Sequence, residues 1–271
     1  MPELPEVETS RRGISPHLLG QTIDKVIIRE HKLRWPIPRA LPSYARGKTI
    51  NAIERRGKYL LLNLDNGTII IHLGMSGSLR ICNSAAAAEK HDHIDIVCSN
   101  GKILRLKDPR KFGCVLWTTD DPQEHKLLVK LGPEPLTADF DTDVLYKASR
   151  KRTCSIKSFI MNSHIVVGVG NIYACESLFL AGINPKRKAG SLSKVRCEKL
   201  VEKIKLILKS AIEQGGTTLR DFSREDGKPG YFAQRLNVYG RAGEACVNCN
   251  KTLKQITQQQ RSTFYCSNCQ K

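Results

Sequence analysis

The sequence predicts an α+β protein with an antiparallel β-rich first half, a helical second half and a small cysteine module near the C-terminus. Two short apolar runs flank Asn100-Gly101, a dipeptide that favours a tight hairpin turn. Between residues 193 and 214 the apolar residues recur at helical spacing instead. Two Cys-x-x-Cys pairs follow close to the end of the chain. These three observations set the order of the predicted domains.

Length and charge restrict the class of protein. A chain of 271 residues can bury two separate cores. Its 44 Lys and Arg against 26 Asp and Glu give a net charge of +18, which indicates a polyanionic partner, most often nucleic acid. A non-specifically adhesive, ribosome-like surface is the alternative. Apolar runs such as 68–73 are too short to span a bilayer, and the first residues do not resemble a secretion signal. Six cysteines are scattered singly, which indicates a reducing compartment, so we expect a cytoplasmic or nuclear protein.

The first half begins with an amphipathic helix, predicted at about residues 7–19, that should pack against β-structure. Turn residues separate several short apolar runs, a pattern typical of a β-sandwich or β-barrel. The predicted strands span residues 22–29, 49–55, 59–64, 68–73, 93–98, 102–106 and 115–118.

Residues 131–136 contain two prolines and are predicted to link a first domain, 2–130, to the helical part. The predicted helices span residues 141–149, 155–161, 171–180 and 193–214. Ser193 is a suitable N-cap for the last of these helices, and Gly215-Gly216 should end it. Residues 215–231 are polar, rich in glycine and long for a connection, which favours a functional or mobile loop.

The cysteine module is predicted to hold one structural Zn²⁺. The pattern that predicts it is made by Cys246, Cys249, Cys266 and Cys269. Four thiolates close a tetrahedral shell, so this metal would not be catalytic. Two local disulfides are the alternative, but the other six cysteines are scattered singly, as reduced core thiols are. Polar and basic residues between the two pairs suggest a finger that contacts DNA.

The N-terminus offers a candidate nucleophile. Removal of Met1 would expose the secondary amine of Pro2, with the carboxyl group of Glu3 beside it. An α-amino group titrates near pH ~8, against about 10.4 for lysine, so it is partly unprotonated at neutral pH and can form a Schiff base. The alternative is an ordinary helix start, with Pro5 in the first turn and Glu6 at the positive end of the helix dipole.

In this combination of features the chain closely resembles the bacterial formamidopyrimidine-DNA glycosylases, over residues 2–271. The motifs that carry the resemblance are PELPEVETSRRG, RRGKYLL, IIHLGMSGSLR, KHDH, DPRKFG, VVGVGNIYACESLF, GGTTLRDF, DGKPGYF and QRSTFYCSNCQK. The resemblance implies an N-terminal β-sandwich, a helix–two-turn–helix domain at 137–240 with a lid at 215–231, and a zinc finger at 241–271. It also implies a DNA repair enzyme that excises oxidised purines and then nicks the abasic site by β,δ-elimination.

The resemblance implies catalytic roles for four residues. Pro2 would attack the sugar C1′ and expel the damaged base, with Glu3 as its acid–base partner. Lys58 would act at the phosphate and assist β-elimination, and Arg261 would bind phosphate and assist δ-elimination. From the residues alone, Glu3 could be only a capping carboxylate, Lys58 a solvated lysine at a strand start, and Arg261 a phosphate contact.

The resemblance also implies a DNA-binding set. Its members are His91, Arg110, Lys151, Asn171, Met75 and Phe112. Asn171 would bind a backbone phosphate at the start of a helix. Met75, Arg110 and Phe112 would fill the gap left by an everted base, although Met75 and Phe112 could instead be core residues.

Two other functions stay open at this point. One is the sister activity on oxidised pyrimidines, which Leu4 argues against because that branch typically has glycine there. The other is a zinc-containing DNA-binding protein without catalysis, which would have no need of Pro2, Glu3, Lys58 and Arg261 together. The expected partner is double-stranded DNA carrying oxidised bases or abasic sites. We expect a monomer without membrane attachment and without a redox or nucleotide cofactor.

Overall fold

A computed structural model describes residues 2–83, 86–215 and 236–271, and in it the chain forms two compact units. Among these residues, the first unit contains 2–129 and Gly215, and the second contains 130–214 together with 236–271. Each unit has its own apolar core.

The first unit is built from two four-stranded antiparallel sheets, in the orders β1-β6-β7-β5 and β2-β3-β4-β8. Its strands are β1 (Ile23–Ile28), β2 (Ile50–Arg56), β3 (Tyr59–Leu64), β4 (Gly67–His72), β5 (Ser78–Asn83), β6 (Asp92–Cys98), β7 (Lys102–Lys107) and β8 (Cys114–Thr118). One apolar cluster takes residues from both sheets, so the arrangement is a sandwich. The predicted strands are confirmed. The structure adds β5, which was not predicted because polar and apolar residues are mixed irregularly in its sequence.

Helices α1 (Leu4–Leu18) and α2 (Leu41–Ala45) pack against the sandwich. Helix α1 starts earlier than the predicted residue 7, because Glu3 and Glu6 form a reciprocal capping box. Pro5 lies in the first turn, where a missing N–H is harmless. Ile14 and Leu18 face the core and are fully buried.

The second unit consists of α3 (Thr142–Ser149), α4 (Ile156–Ile160), α5 (Asn171–Ala181) and α6 (Lys194–Glu213) around a second core. Asp141, Ser155 and Ser193 cap their helices by accepting a main-chain N–H, and the predicted cap at Ser193 is confirmed. Helix α5 ends at Gly182, whose left-handed conformation suits a residue without a Cβ.

A two-stranded hairpin, β9 (Lys254–Gln258) and β10 (Arg261–Tyr265), completes the second unit. Phe264 of the hairpin packs with Phe179 of α5 and with Val238 in a small third cluster.

None of the helices in the described part of the chain has the length and apolar character that a membrane span requires. Apart from Gly215, the predicted loop at 215–231 lies outside the described residues.

Candidate active site and nucleic-acid interface

Pro2 is buried and precedes the N-cap residue of α1. The main-chain N–H of Glu3 donates to Oε2 of Glu6 at 2.8 Å, and the Glu3 carboxylate accepts the main-chain N–H of Glu6 in return. Glu3 is only 3 % exposed. The capping contact that was the alternative interpretation of Glu3 is therefore present, and it fixes a buried carboxylate one residue from the candidate nucleophile.

Glu8 connects this helix to strand β2. Its carboxylate accepts hydrogen bonds from Arg11, Arg12 and Arg55, at 2.8–3.1 Å. Burial works against ionisation of Glu8, but the hydrogen bonds from Arg11 and Arg12 prevail and lower its pKa to about 2. Arg55 also donates to the carbonyl of Gly57 at 3.0 Å. The helix that follows Pro2 is thereby tied to the turn between β2 and β3.

That turn carries Lys58. Gly57 takes a positive φ there, which glycine adopts without strain. Lys58 is half-buried, and so is His72 on the neighbouring strand β4, whose ring packs 4.7 Å from the ring of Tyr59. Burial, with the positive charges of Lys58 and Arg34, lowers the pKa of His72 to about 4. His72 is therefore neutral near pH 7 and lies within the electrostatic influence of Lys58.

Two turns that carry candidate void-filling residues pack against each other. Gly74 has a positive φ, and a Cβ there would lie 2.4 Å from the main-chain carbon of Phe112, so only glycine fits. Ser76 donates to Oδ1 of the fully buried Asp108 at 2.8 Å. Met75, between these two contacts, is half-buried on the turn and not a member of the core.

Asp108 also organises the second turn. Its carboxylate accepts the main-chain N–H groups of Gly113 at 2.8 Å and of Arg110 at 3.3 Å. Arg110 is exposed, and its guanidinium lies 4.9 Å from the centre of the Phe112 ring, which is itself 41 % exposed. His91 joins this group through its carbonyl, which accepts the N–H of Asp108 at 3.0 Å. The structure thus brings four of the six predicted DNA-binding residues together on adjoining turns.

In the second unit, Asn171 is the first residue of α5, directly after the cap Gly170. Its Nδ2 donates to the carbonyl of Ser262 at 2.9 Å and lies 3.5 Å from the hydroxyl of Tyr239. Its Oδ1 is buried and has no hydrogen-bond partner among the described residues. Tyr239 is held in turn by Phe264, with ring centres 5.0 Å apart. A helix N-terminus and the β9–β10 hairpin therefore meet at Asn171.

The hairpin holds Arg261 at its tip. Arg261 is exposed and follows a turn of two glutamines with positive φ. Lys157, almost completely buried, donates to the carbonyl of Ser262 at 3.2 Å and to the hydroxyl of Thr263 at 2.7 Å, so α4 supports the strand next to Arg261. Lys151 is also exposed, on a left-handed residue after α3.

Glu176 is a central contact of the second unit that no sequence pattern had singled out, although it is the only charged residue of α5. Its fully buried carboxylate accepts four N–H groups at 2.8–2.9 Å, from the main chain of Asn237, Val238 and Tyr239 and from the side chain of Asn237. Glu176 therefore fixes the backbone that places Tyr239 beside Asn171. His72, Asp108, Tyr239 and Lys157 were likewise not among the predicted residues.

The four cysteines predicted as metal ligands form one cluster. Their sulfur atoms all lie within 4.8 Å of one another, and the four thiols are unpaired by disulfides. Four sulfurs at ~2.3 Å from one ion would lie about 3.8 Å apart, so the cluster fits a tetrahedral metal. Among the six other cysteines, Cys98, Cys114, Cys175 and Cys197 are buried as expected, whereas Cys82 is half-buried and Cys154 exposed.

Comparison with known proteins gives one consistent result. Residues 1–115 match the formamidopyrimidine-DNA glycosylase N-terminal domain, and residues 131–223 match its H2TH domain. A formamidopyrimidine-DNA glycosylase of Stutzerimonas stutzeri is 58 % identical over the whole of both chains. The Lactococcus lactis Fpg bound to abasic-site DNA superposes with a TM-score of 0.92 at 35 % identity, covering 99 % of each chain. A MutM bound to carbocyclic 8-oxo-G DNA gives 0.91 at 36 %, also covering 99 % of each. The chain belongs to the formamidopyrimidine-DNA glycosylases, which are a family of DNA glycosylases that act in base excision repair.

Proposed function

We propose that the chain excises oxidised purines such as 8-oxoguanine and formamidopyrimidines through a Schiff base on Pro2, and then cleaves the strand at the abasic site. The observation that carries the proposal is the buried Pro2-Glu3 pair on a helix that Glu8 and Arg55 tie to the turn bearing Lys58. A protein that only binds DNA has no need of this arrangement.

The proposed reaction follows from the amine. The lone pair of the Pro2 nitrogen attacks C1′, the glycosidic bond breaks, and the base leaves with the bonding electrons and takes up a proton. Opening of the sugar ring gives an iminium ion between Pro2 and C1′, and O4′ is protonated. Glu3 exchanges these protons with the substrate. The iminium acidifies C2′–H, so loss of that proton expels the 3′ phosphate. Loss of a second proton, from C4′, then expels the 5′ phosphate, and hydrolysis of the iminium by water frees the Pro2 amine.

The remaining residues bind and shape the DNA. Lys58 and Arg261 stabilise the charge on the leaving phosphates, and Asn171 binds a backbone phosphate with the first N–H groups of α5. Met75, Arg110 and Phe112 occupy the space of the everted nucleotide, while His91 and Lys151 contact the backbone. We place this activity in a cytoplasmic monomer acting on double-stranded DNA, with no redox or nucleotide cofactor.

A covalent trapping experiment tests the proposal. Borohydride added to the protein and a duplex with 8-oxoguanine opposite cytosine should reduce the iminium and give a stable protein–DNA band. In single turnover, 8-oxoguanine should be released faster than thymine glycol from the same duplex. Faster release of thymine glycol would assign the chain to the oxidised-pyrimidine branch, and absence of any trapped band would leave a DNA-binding protein.

We also propose that the cysteine cluster holds one structural zinc ion. When bound, zinc would supply only structural stabilisation, since four thiolates leave no open position for chemistry. Binding then contributes directly to the folding free energy of the hairpin, which carries Arg261.

Replacing one ligand should therefore disable DNA binding. Cys249→Ser is expected to lower the bound zinc well below one equivalent and to weaken lesion-duplex affinity by at least about tenfold, because the hairpin loses its metal-dependent folding energy. Elemental analysis and fluorescence anisotropy measure the two effects. Cys154→Ser, at an exposed cysteine outside the cluster, is the matched control and should change neither. Normal affinity in a zinc-free Cys249→Ser protein would refute a structural role for the metal.

A further inference from the structure

The segment between β5 and β6 holds His91 in a left-handed backbone conformation. The φ of His91 is +74°, a value that residues other than glycine adopt only at an energetic cost. Such a conformation persists where the surrounding contacts hold it, and it often occurs at functional sites. The main-chain N–H of Asp92 donates to the carbonyl of Glu89 at 3.1 Å, so His91 lies inside a tight turn. The contacts of this turn therefore determine where the His91 side chain lies.

The Asp92 carboxylate holds the turn from inside the protein. Its side chain is completely buried, and its Oδ2 accepts the main-chain N–H of Glu89 at 2.7 Å. The same oxygen accepts a hydrogen bond from the Arg80 guanidinium on β5, at 2.6 Å. Oδ1 is buried without a hydrogen-bond partner among the described residues. One carboxylate oxygen thus closes the turn across its whole length and joins it to the neighbouring strand.

Arg105 on β7 fixes the preceding part of the segment. It is only 2 % exposed, and its Nε and Nη2 donate to the two carboxylate oxygens of Asp95, each at 2.8 Å. It also donates to the carbonyls of Ala87 at 2.8 Å and Ala86 at 3.0 Å, and its Nη1 lies 3.7 Å from Oδ2 of Asp92. Buried ion pairs often add no stability over apolar side chains, because desolvation offsets their attraction. What this ion cluster does supply is a defined geometry for the segment that ends at His91.

We propose that Asp92 is a positioning residue for DNA binding, which together with Arg80 holds His91 in the left-handed turn from which its side chain contacts the DNA backbone. The inference rests on the proposed function, since that function assigns His91 to the backbone. The turn is also held on its other side, where the carbonyl of His91 accepts the N–H of Asp108 at 3.0 Å. Loss of the Asp92 charge would release the turn at Glu89 and let His91 return to an ordinary backbone conformation.

A double-mutant cycle tests whether Asp92 acts through His91. The probe is a duplex with a tetrahydrofuran abasic analogue, and anisotropy gives its Kd. His91→Ala and Asp92→Asn should each weaken binding by about tenfold. The chain with both changes should bind within about twofold of His91→Ala alone, because the second change has no further contact to remove. Losses that multiply would show that Asp92 acts on the fold as a whole, and an unchanged Kd in His91→Ala would equally overturn the inference.

A second variant keeps the test independent of the stability of Asp92→Asn. Arg80→Met breaks the same contact from its less buried end, and it should give the same coupling with His91→Ala. Arg29→Gln is the matched control, since it breaks the 2.6 Å ion pair with Asp95 in the same cluster and leaves the contacts of Asp92 in place. Its Kd should stay within about twofold of the unaltered protein. A Kd in Arg80→Met equal to that of the control would contradict the proposed role.

Kinetics separate positioning for binding from a role in the chemical step. At saturating enzyme, the single-turnover rate of Asp92→Asn should stay within about twofold of the unaltered protein, because only affinity depends on the turn. A large fall in this rate with unchanged Kd would overturn the inference. Failure of the proposed function looks different, because it would remove the borohydride-trapped band from the unaltered protein as well.

Discussion

A chain carrying Pro2→Gly should excise 8-oxoguanine at least about 100-fold more slowly than the unaltered protein while keeping its affinity for lesion DNA. The reason is chemical. A secondary amine such as that of Pro2 gives a cationic iminium ion directly on condensation, whereas a primary amine gives an imine that must still be protonated. Glycine also lacks the pyrrolidine ring that restricts the orientation of the terminal nitrogen. Single-turnover kinetics and anisotropy separate the loss of chemistry from the loss of binding.

Blocking the amine should have a still larger effect. A chain with a Gly-Ser dipeptide before Pro2 turns the nucleophilic nitrogen into an amide, so base release and borohydride trapping should both fall below detection. Mass spectrometry of the active protein should show that Met1 is absent. Pro5→Ala is the matched control, since it changes a proline of the first helical turn and leaves the amine in place. Full activity in the extended chain would rule out Pro2 as the nucleophile.

Glu176→Gln should be the most damaging single-atom change outside the proposed catalytic residues. Each carboxylate oxygen accepts two N–H groups, so an amide NH₂ at either position would face two donors. Loss of these charge-assisted hydrogen bonds should cost about 3 kcal/mol of unfolding free energy. A loss of that size corresponds to roughly 6–12 °C in Tm for a protein of this length.

The change at Glu176 should also weaken lesion-duplex binding by at least about tenfold, because it releases the backbone that places Tyr239 beside Asn171. Calorimetry and anisotropy measure the two effects. Glu198→Gln, on the exposed face of α6, removes the same charge from the same unit and should leave both unchanged. Equal Tm values for the two variants would show that Glu176 does not hold this segment.

Patterns among neighbouring residues were enough to predict most of the helices and strands. Turn residues follow Leu64 and Cys98, and they predict the two hairpins from a short stretch of the chain. The apolar spacing of α6 predicts the long helix in the same local way. Both hairpins and the helix were therefore predicted near their observed bounds. The cysteine spacing likewise predicted one cluster, because each Cys-x-x-Cys pair is a local structure. β5 escaped prediction because its pairing partner is β7, which follows only after β6, and because its own sequence alternates irregularly.

Some residues of the candidate site could be predicted from the sequence and others could not. Pro2, Glu3 and the cysteines could be assigned from the sequence because their chemistry depends on a terminus or on local spacing. The supporting residues could not. Asp108 resembles any turn aspartate, and Glu176 resembles an ordinary helical glutamate, until other segments approach them.

By itself, the sequence determined the order of the domains, the class of partner and the candidate nucleophile, since composition, periodicity and motif spacing are properties of neighbouring residues. The tertiary structure was needed to show that Glu8 and Arg55 tie α1 to the Lys58 turn, that Ser76 joins the turn of Met75 to Asp108 and Arg110, and that Glu176 holds Tyr239. Hydrogen bonds of this kind join residues that are far apart in the chain. Their geometry depends on how separate elements pack, and no local pattern in the chain encodes it.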